Sequence, residues 1–230
     1  MRLPELALID LDGTLVDSLP DIAFCVDEML VRLGLEPVGH QRIRGWVGNG
    51  IEVLVERALS GHLDETADAE RRALALPLFM ELYAQHTSNR SHVYDGVHEG
   101  LEYLQRAGVT LGCVTNKATF YSHKLLAELA LADYFSLVVS GDSVAHKKPH
   151  PMPLLYACRH FAIEPAAALL IGDSVNDVKA AKAAGFRVVC VTYGYNHGED
   201  IRASNPDALI DTLAELPDLF VPPERTVERA

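Results

Sequence analysis

Leu6-Ala7-Leu8-Ile9-Asp10-Leu11-Asp12-Gly13-Thr14 is the stretch on which the reading of this chain turns. Four consecutive apolar residues ending on two carboxylates two positions apart describe a strand buried on both faces that runs into a polar turn. Gly13 lets the backbone turn there, so that Asp10 and Asp12 can project beside each other. Taken alone, the stretch fits an ordinary strand-to-turn junction equally well, because Asp-Gly is common in turns.

Working outward, four more short apolar runs have the same character: 109–114, 137–139, 168–171 and 188–191. Helical patterns separate most of them, at 97–106, 121–129, 153–161 and 175–184, the last followed by Gly185 as a C-cap. Strands alternating with helices of this length predict a Rossmann-like α/β fold with a parallel sheet, in the order 3-2-1-4-5. Residues 17–92 break the alternation. They carry helical periodicity, opening on Asp17-Ser18 ahead of Pro20 as a helix start, with Ile22, Val26, Met29, Leu30 and Leu33 at helical spacing and Gly34 as a stop. The expected organisation is a catalytic core of residues 1–16 and 93–220, an inserted all-helical cap of residues 17–92, and a frayed tail at 221–230.

Three further segments place polar groups at the ends of predicted strands or on the approach to a helix: Thr115-Asn116-Lys117, His146-Lys147-Lys148-Pro149-His150-Pro151, and Gly172-Asp173-Ser174-Val175-Asn176-Asp177. Ligands of open α/β sheets bind outside the carboxyl ends of the strands, where strand order reverses. The order 3-2-1-4-5 brings Asp10, Asp12, Thr115 and Asp173 to that point, with a lysine nearby. Carboxylates suit a hard cation, a hydroxyl and an amide suit phosphate oxygens, and an ammonium suits the remaining charge.

These four segments resemble, in order, the four motifs of the haloacid dehalogenase superfamily, and the helical insertion resembles the cap of its capped phosphatases. Loop sequences 16–21, 46–50 and 192–198 are similar to those of its bacterial phosphoglycolate phosphatases. The resemblance implies that Asp10 is a nucleophile forming an aspartyl phosphate and Asp12 a general acid and base. It implies Mg2+ held by Asp10, the Asp12 backbone carbonyl and Asp173, and phosphate held by Thr115, the Asn116 backbone and Lys148. It also implies that Asp177 orients Lys148 or a metal-bound water. Asp12 separates phosphoryl transfer from the dehalogenase branch, which lacks that second carboxylate. The implied activity is hydrolysis of a small phosphate monoester, 2-phosphoglycolate foremost. A sugar phosphate, nucleotide or pyrophosphate as substrate, a phosphomutase, and a non-catalytic sensor of a phosphorylated metabolite are the alternatives.

Other features are read more plainly. Gly48-Asn49-Gly50 is either a tight turn between cap helices or a lip over the substrate, with Arg44 or Asn49 near the substrate's carboxylate. Lys147, His146 and His150 read as surface groups, and Asn196 and His197 as loop residues. Cys25, Cys113, Cys158 and Cys190 form no C-x-x-C pair and read as reduced, buried thiols. A hydrophobic share of 49% against 23% charged residues describes a folded globular chain. The net charge of -12 disfavours nucleic acid and anionic lipid as partners. No apolar run approaches the ~18 residues of a membrane span, so the expected setting is the cytoplasm, as monomer or homodimer.

Overall fold

The structure is a computed structural model that describes residues 1–220; the tail expected at 221–230 lies outside the described residues. The chain opens with β1 (Leu6–Ile9), whose four side chains are all buried. After β2 (Val16–Asp17) come four helices, α1 (Leu19–Arg32), α2 (His40–Arg44), α3 (Ile51–Ser60) and α4 (Ala69–Gln85), and then β3 (His92–Val93). Regular alternation follows: α5 (Val97–Arg106), β4 (Thr110–Val114), α6 (Thr119–Glu128), β5 (Leu137–Val139), α7 (Met152–Phe161), β6 (Ala168–Gly172), α8 (Val175–Ala184), β7 (Arg187–Val191), β8 (Ala208–Ile210) and α9 (Leu216–Leu219).

The six-stranded sheet runs β5-β4-β1-β6-β7-β8, with every pairing parallel. Its first five strands stand in the expected order, and β8 extends the sheet beyond them. β8 has three residues, two of them only half buried, and was not read as a strand from sequence. Period-2 alternation divides the core between the two faces of the sheet. Ala7, Ile9, Leu111, Cys113, Leu169 and Ile171 pack with α5 and α6 on one face. Leu6, Leu8, Leu170, Val188 and Cys190 pack with α7 and α8 on the other. The four cysteines are free and buried, and no helix among the described residues is long and apolar enough to cross a membrane.

Helices α1–α4 share a third cluster, in which Met29, Val55, Phe79 and Tyr83 are almost fully buried. The chain leaves for this bundle through β2 and returns through β3, and the two pair antiparallel, Val16 with Val93 and Asp17 with His92. Just beyond that ribbon, the fully buried Asp21 of α1 accepts hydrogen bonds from the Arg90 and Ser91 amides, both at 2.8 Å, and from Ser91 Oγ at 2.7 Å. One carboxylate therefore joins the outgoing helix to the returning chain. The expected start of α1 differs in detail: Ser18 caps no amide and its hydroxyl turns to Asp12, while Asp17 Oδ1 accepts from the Leu19 amide at 3.3 Å.

Candidate active site

Sheet register brings the site together. Ile9 lies beside Cys113 of β4 on one side and Ile171 of β6 on the other. Asp10, one residue past Ile9, and Thr115 and Asp173, each two residues past its neighbour, therefore emerge at one rim of the sheet. The turn after β1 is sharp, with φ of +85° at Gly13, a backbone conformation that glycine adopts without steric cost. A Cβ on Gly13 would also come within 2.3 Å of Asp173 Oδ2, and one on Gly194 within 2.2 Å of the Asp173 Cβ. The Asp173 carboxylate is thus wedged between two loops that approach closely only because both residues are glycine.

The ionic centre is buried. Lys148 Nζ lies 2.8 Å from Asp10 Oδ1 and 2.7 Å from Asp177 Oδ1, and donates to the Val114 carbonyl at 2.7 Å. The other Asp177 oxygen accepts from Ser174 Oγ at 2.6 Å and from the Ser174 amide at 3.1 Å, closing a capping box at the start of α8. Asp173 accepts from the Tyr195 amide at 2.5 Å and from Thr14 Oγ1 at 3.2 Å. Oxygens of Asp10, Asp173 and Asp177 lie within 4.8 Å of one another. The Asp12 side chain points elsewhere, to Ser18 Oγ at 2.5 Å and Lys117 Nζ at 2.9 and 3.0 Å.

Three carboxylates face one ammonium, so negative charge is left over. Burial pushes the Asp10 carboxyl up to about 7, with Lys148 pulling against it and Asp177 adding to it. Asp173 is raised well above the carboxylate range by burial, then by Asp10 and Asp177. Burial lowers Lys148, but the two facing carboxylates outweigh it and hold the ammonium above its usual range. Surplus charge on an all-oxygen donor set is the chemistry of a hard divalent cation site.

Asp10, Asp12, Thr115, Asn116, Lys148 and Asp173 all line one cavity of about 50 Å³. Asp177 sits behind them with no exposed surface. The cavity's opposite wall comes from the helical bundle and is mostly apolar: Ile22, Val47, Ile51, Leu54 and Phe79. Gly48 and Gly50 line it too, with positive φ at both, so the 48–50 turn does face the site. The Gly48 carbonyl accepts from Asn116 Nδ2 at 2.9 Å and from Asn176 Nδ2 at 3.4 Å.

Arg44 and Asn49, the two candidates for contacting the substrate's carboxylate, do not line this cavity. The Arg44 guanidinium donates to the carbonyls of Tyr193 at 2.8 Å and Gly194 at 2.7 Å and lies over the Tyr195 ring, while Asn49 Oδ1 accepts from Arg57 at 3.0 Å. Both are occupied in holding loops. Lys147 is paired with Glu52 at 3.5 Å and half exposed, and His146 stacks on His150, whose Nδ1 accepts from the Met152 amide. Asn196 caps the start of α8 through the Val175 amide, and His197 donates to the Gly45 carbonyl. Two residues given no role from sequence, Lys117 and Tyr83, line the cavity. Lys117 adjoins Thr115-Asn116, and a lysine beside a phosphate-binding segment is a signal that could have drawn attention to it. Tyr83 gave no signal, since an aromatic at helical spacing reads as core.

The geometry has counterparts among known proteins. Residues 7–191 match the model of the haloacid dehalogenase-like hydrolase family. A phosphoglycolate phosphatase of Nitrosococcus oceani is 53% identical over 220 residues, covering 96% of this chain and 98% of that protein. One from Nitrosospira multiformis is 47% identical over 208 residues, covering 90% and 92%. A crystal structure from Haemophilus somnus, described as a predicted phosphoglycolate phosphatase, superposes with a TM-score of 0.90 at 35% identity, covering 95% of this chain and 99% of that one. A match over most of the chain, on a sheet whose rim gathers the four motif segments, makes this chain a member of the haloacid dehalogenase-like hydrolase family.

Proposed function

We propose that this chain is a Mg2+-dependent phosphatase that hydrolyses 2-phosphoglycolate to glycolate and phosphate through an aspartyl phosphate on Asp10. The observation that carries the reading is the pairing of two carboxylates in different surroundings: Asp10 in contact with Lys148 beside Asp173, and Asp12 turned to Ser18 and Lys117. Two carboxylates in distinct environments can take distinct roles. In this reading residues 17–92 cap a core made of 1–16 and 93–220. The relatives named phosphoglycolate phosphatase support the choice of substrate. A cavity of about 50 Å³ suits a small ester.

The Asp10 and Asp173 carboxylates and the Asp12 backbone carbonyl would hold Mg2+, which supplies positive charge to the phosphoryl oxygens. Thr115, the Asn116 backbone and Lys148 would orient the phosphoryl group, with Asp177 fixing the Lys148 ammonium. Asp10 attacks phosphorus in line with the ester oxygen. Asp12, which takes up a proton as the charged ester enters beside it, gives that proton to the departing glycolate oxygen, then takes one from the water that attacks the aspartyl phosphate. That return releases inorganic phosphate and regenerates both carboxyl groups. Burial under the cap keeps bulk water away until the leaving group has gone. Four free, buried thiols suit a reducing compartment, and we assign the reaction to the cytoplasm.

The test is phosphate release from a panel of monoesters, with and without Mg2+, by the parent and by Asp10→Asn. The reading expects metal-dependent turnover with phosphoglycolate near the head of the panel and none from the variant. Turnover by Asp10→Asn at the parent's rate would end the nucleophile assignment, and phosphoglycolate at the foot of the panel would end the substrate assignment.

A further inference from the structure

Lys117 is an ammonium in an unusual place. It is 6% exposed, lines the active-site cavity, and pairs with a single carboxylate among the described residues, Asp12, at 2.9 Å. A lysine has three donors, and Asp12 engages the ammonium through its two oxygens at 2.9 and 3.0 Å. The same ammonium lies 4.8 Å from the centre of the Tyr83 ring. Tyr83 reaches the cavity from α4, on the opposite wall, and is 1% exposed. Its hydroxyl is buried with no hydrogen-bond partner among the described residues. A buried hydroxyl without a partner costs stability, and here it belongs to a residue lining the substrate cavity. Burial first, and then the nearby Asp12 charge, hold the phenol well above its ordinary value, so it remains a donor.

We propose that Lys117 and Tyr83 together bind a carboxylate carried by the leaving alcohol, making the enzyme selective for phosphate esters of small hydroxy acids. This deepens the phosphatase reading and rests on it. Asp12 protonates the ester oxygen in that reading, and Lys117 touches Asp12, so a carboxylate one carbon from the ester oxygen lies toward the lysine. The core supplies the charge and the cap supplies the second donor, so the receptor is complete only when the two are together. The rest of the cap wall is apolar: Ile22, Val47, Ile51, Leu54 and Phe79. Sugar hydroxyls would lose their water there and find no partner, and sites reject such mismatches strongly. Arg44, the other cation considered for this role, is tied to the Tyr193 and Gly194 carbonyls.

The experiment compares kcat/KM for 2-phosphoglycolate and for 2-hydroxyethyl phosphate, a neutral-ended ester of similar size, in Mg2+ with the parent, Tyr83→Phe and Lys117→Met. The parent should favour the carboxylate ester by about 100-fold or more, as a charged hydrogen-bonding site does. Tyr83→Phe should lose about 10-fold on phosphoglycolate, the size of one hydrogen bond, and less than about 2-fold on the neutral ester. It should melt no lower than the parent, because only an unpartnered hydroxyl is removed. Lys117→Met should slow both reactions by unpairing Asp12, and should also collapse the parent's preference to within about 10-fold. Equal losses on both esters in both variants would overturn the carboxylate receptor while leaving the phosphatase intact. If Lys117→Met fails to fold, Tyr83→Phe decides alone. A parent that hydrolyses the neutral ester as readily as phosphoglycolate would instead refute the substrate reading itself.

Discussion

Replacing Lys148 with methionine keeps an unbranched side chain, one atom shorter, and removes its charge. In the parent, the ammonium is 2.8 Å from Asp10 and 2.7 Å from Asp177, and its side chain is 2% exposed. Without it, two buried carboxylates face each other and Asp173 with no counter-charge. Removing one partner of a buried ion pair costs about 3–5 kcal/mol. At roughly 2–4 °C per kcal/mol for a chain of this size, the melting temperature should fall by about 6–20 °C. The pH dependence has a definite sign. Asp10 is already raised to about 7 in the folded state, and loss of the cation raises it further. A carboxyl raised on folding favours the folded state at low pH and loses that contribution as pH rises through its folded value. Metal-free Lys148→Met should therefore be far less stable than the parent at pH 8, with the gap narrowing toward pH 5. Adding Asp177→Asn should recover part of the loss, with a coupling of about 0.5–3 kcal/mol between the two sites. Denaturant unfolding of the parent, both single variants and the double variant, in chelator at the two pH values, is the assay. A Lys148→Met protein as stable as its parent at pH 8, or strictly additive single and double variants, would refute the charge balance described for this site.

Asp10→Asn should abolish phosphate release yet stabilise the metal-free protein at pH 8. Ionising a buried carboxyl raised from 3.8 to about 7 costs about 4 kcal/mol at 1.36 kcal/mol per pH unit, and the advantage should vanish near pH 4. Gly194→Ala drives a methyl to within 2.2 Å of the Asp173 Cβ. Displacing that carboxylate by about 1 Å should cost about 100-fold in kcat/KM, and calorimetric titration should show weakened Mg2+ binding. Asp21→Ala leaves the Arg90 and Ser91 amides without their acceptor. With about 1–3 kcal/mol for each unpaired buried group, denaturant unfolding should show a loss of about 2–6 kcal/mol, while Asp21→Asn should lose less.

What could be read from the sequence is what sheet geometry dictates. A short apolar run can only be a two-face-buried parallel strand if its neighbours are similar runs, so β1, β4, β6 and β7 announced one another. Parallel register then fixes which residues emerge together, and Asp10, Thr115 and Asp173 follow from Ile9, Cys113 and Ile171 without knowledge of any side-chain contact. β2 and β3 were missed because two residues hold too little pattern to separate from a loop. Asp17-Ser18 marked the start of α1, but the sequence does not reveal which of the two serves the helix, because Asp12 competes for the Ser18 hydroxyl.

The 44–50 segment was harder to place for a different reason: its partners are backbone carbonyls. The helical bundle docks on the core through the Gly45 and Gly48 carbonyls, which accept from His197, Asn116 and Asn176, and through the Tyr193 and Gly194 carbonyls, which accept from Arg44. Every residue carries such an acceptor, so a sequence marks none of them as special. An arginine in the bundle thus reads as a substrate-binding cation when its real partner is a turn of the core. The consequence reaches the metal-site candidates, because Tyr195, whose ring lies under Arg44, donates its amide to Asp173 at 2.5 Å. The contact that docks the bundle and the contact that positions the Asp173 carboxylate share one stretch, residues 193–195, of the loop that follows β7. Any movement of the bundle that withdraws Arg44 therefore acts on the loop that holds Asp173, which couples closure over the substrate to the assembly of the charged centre.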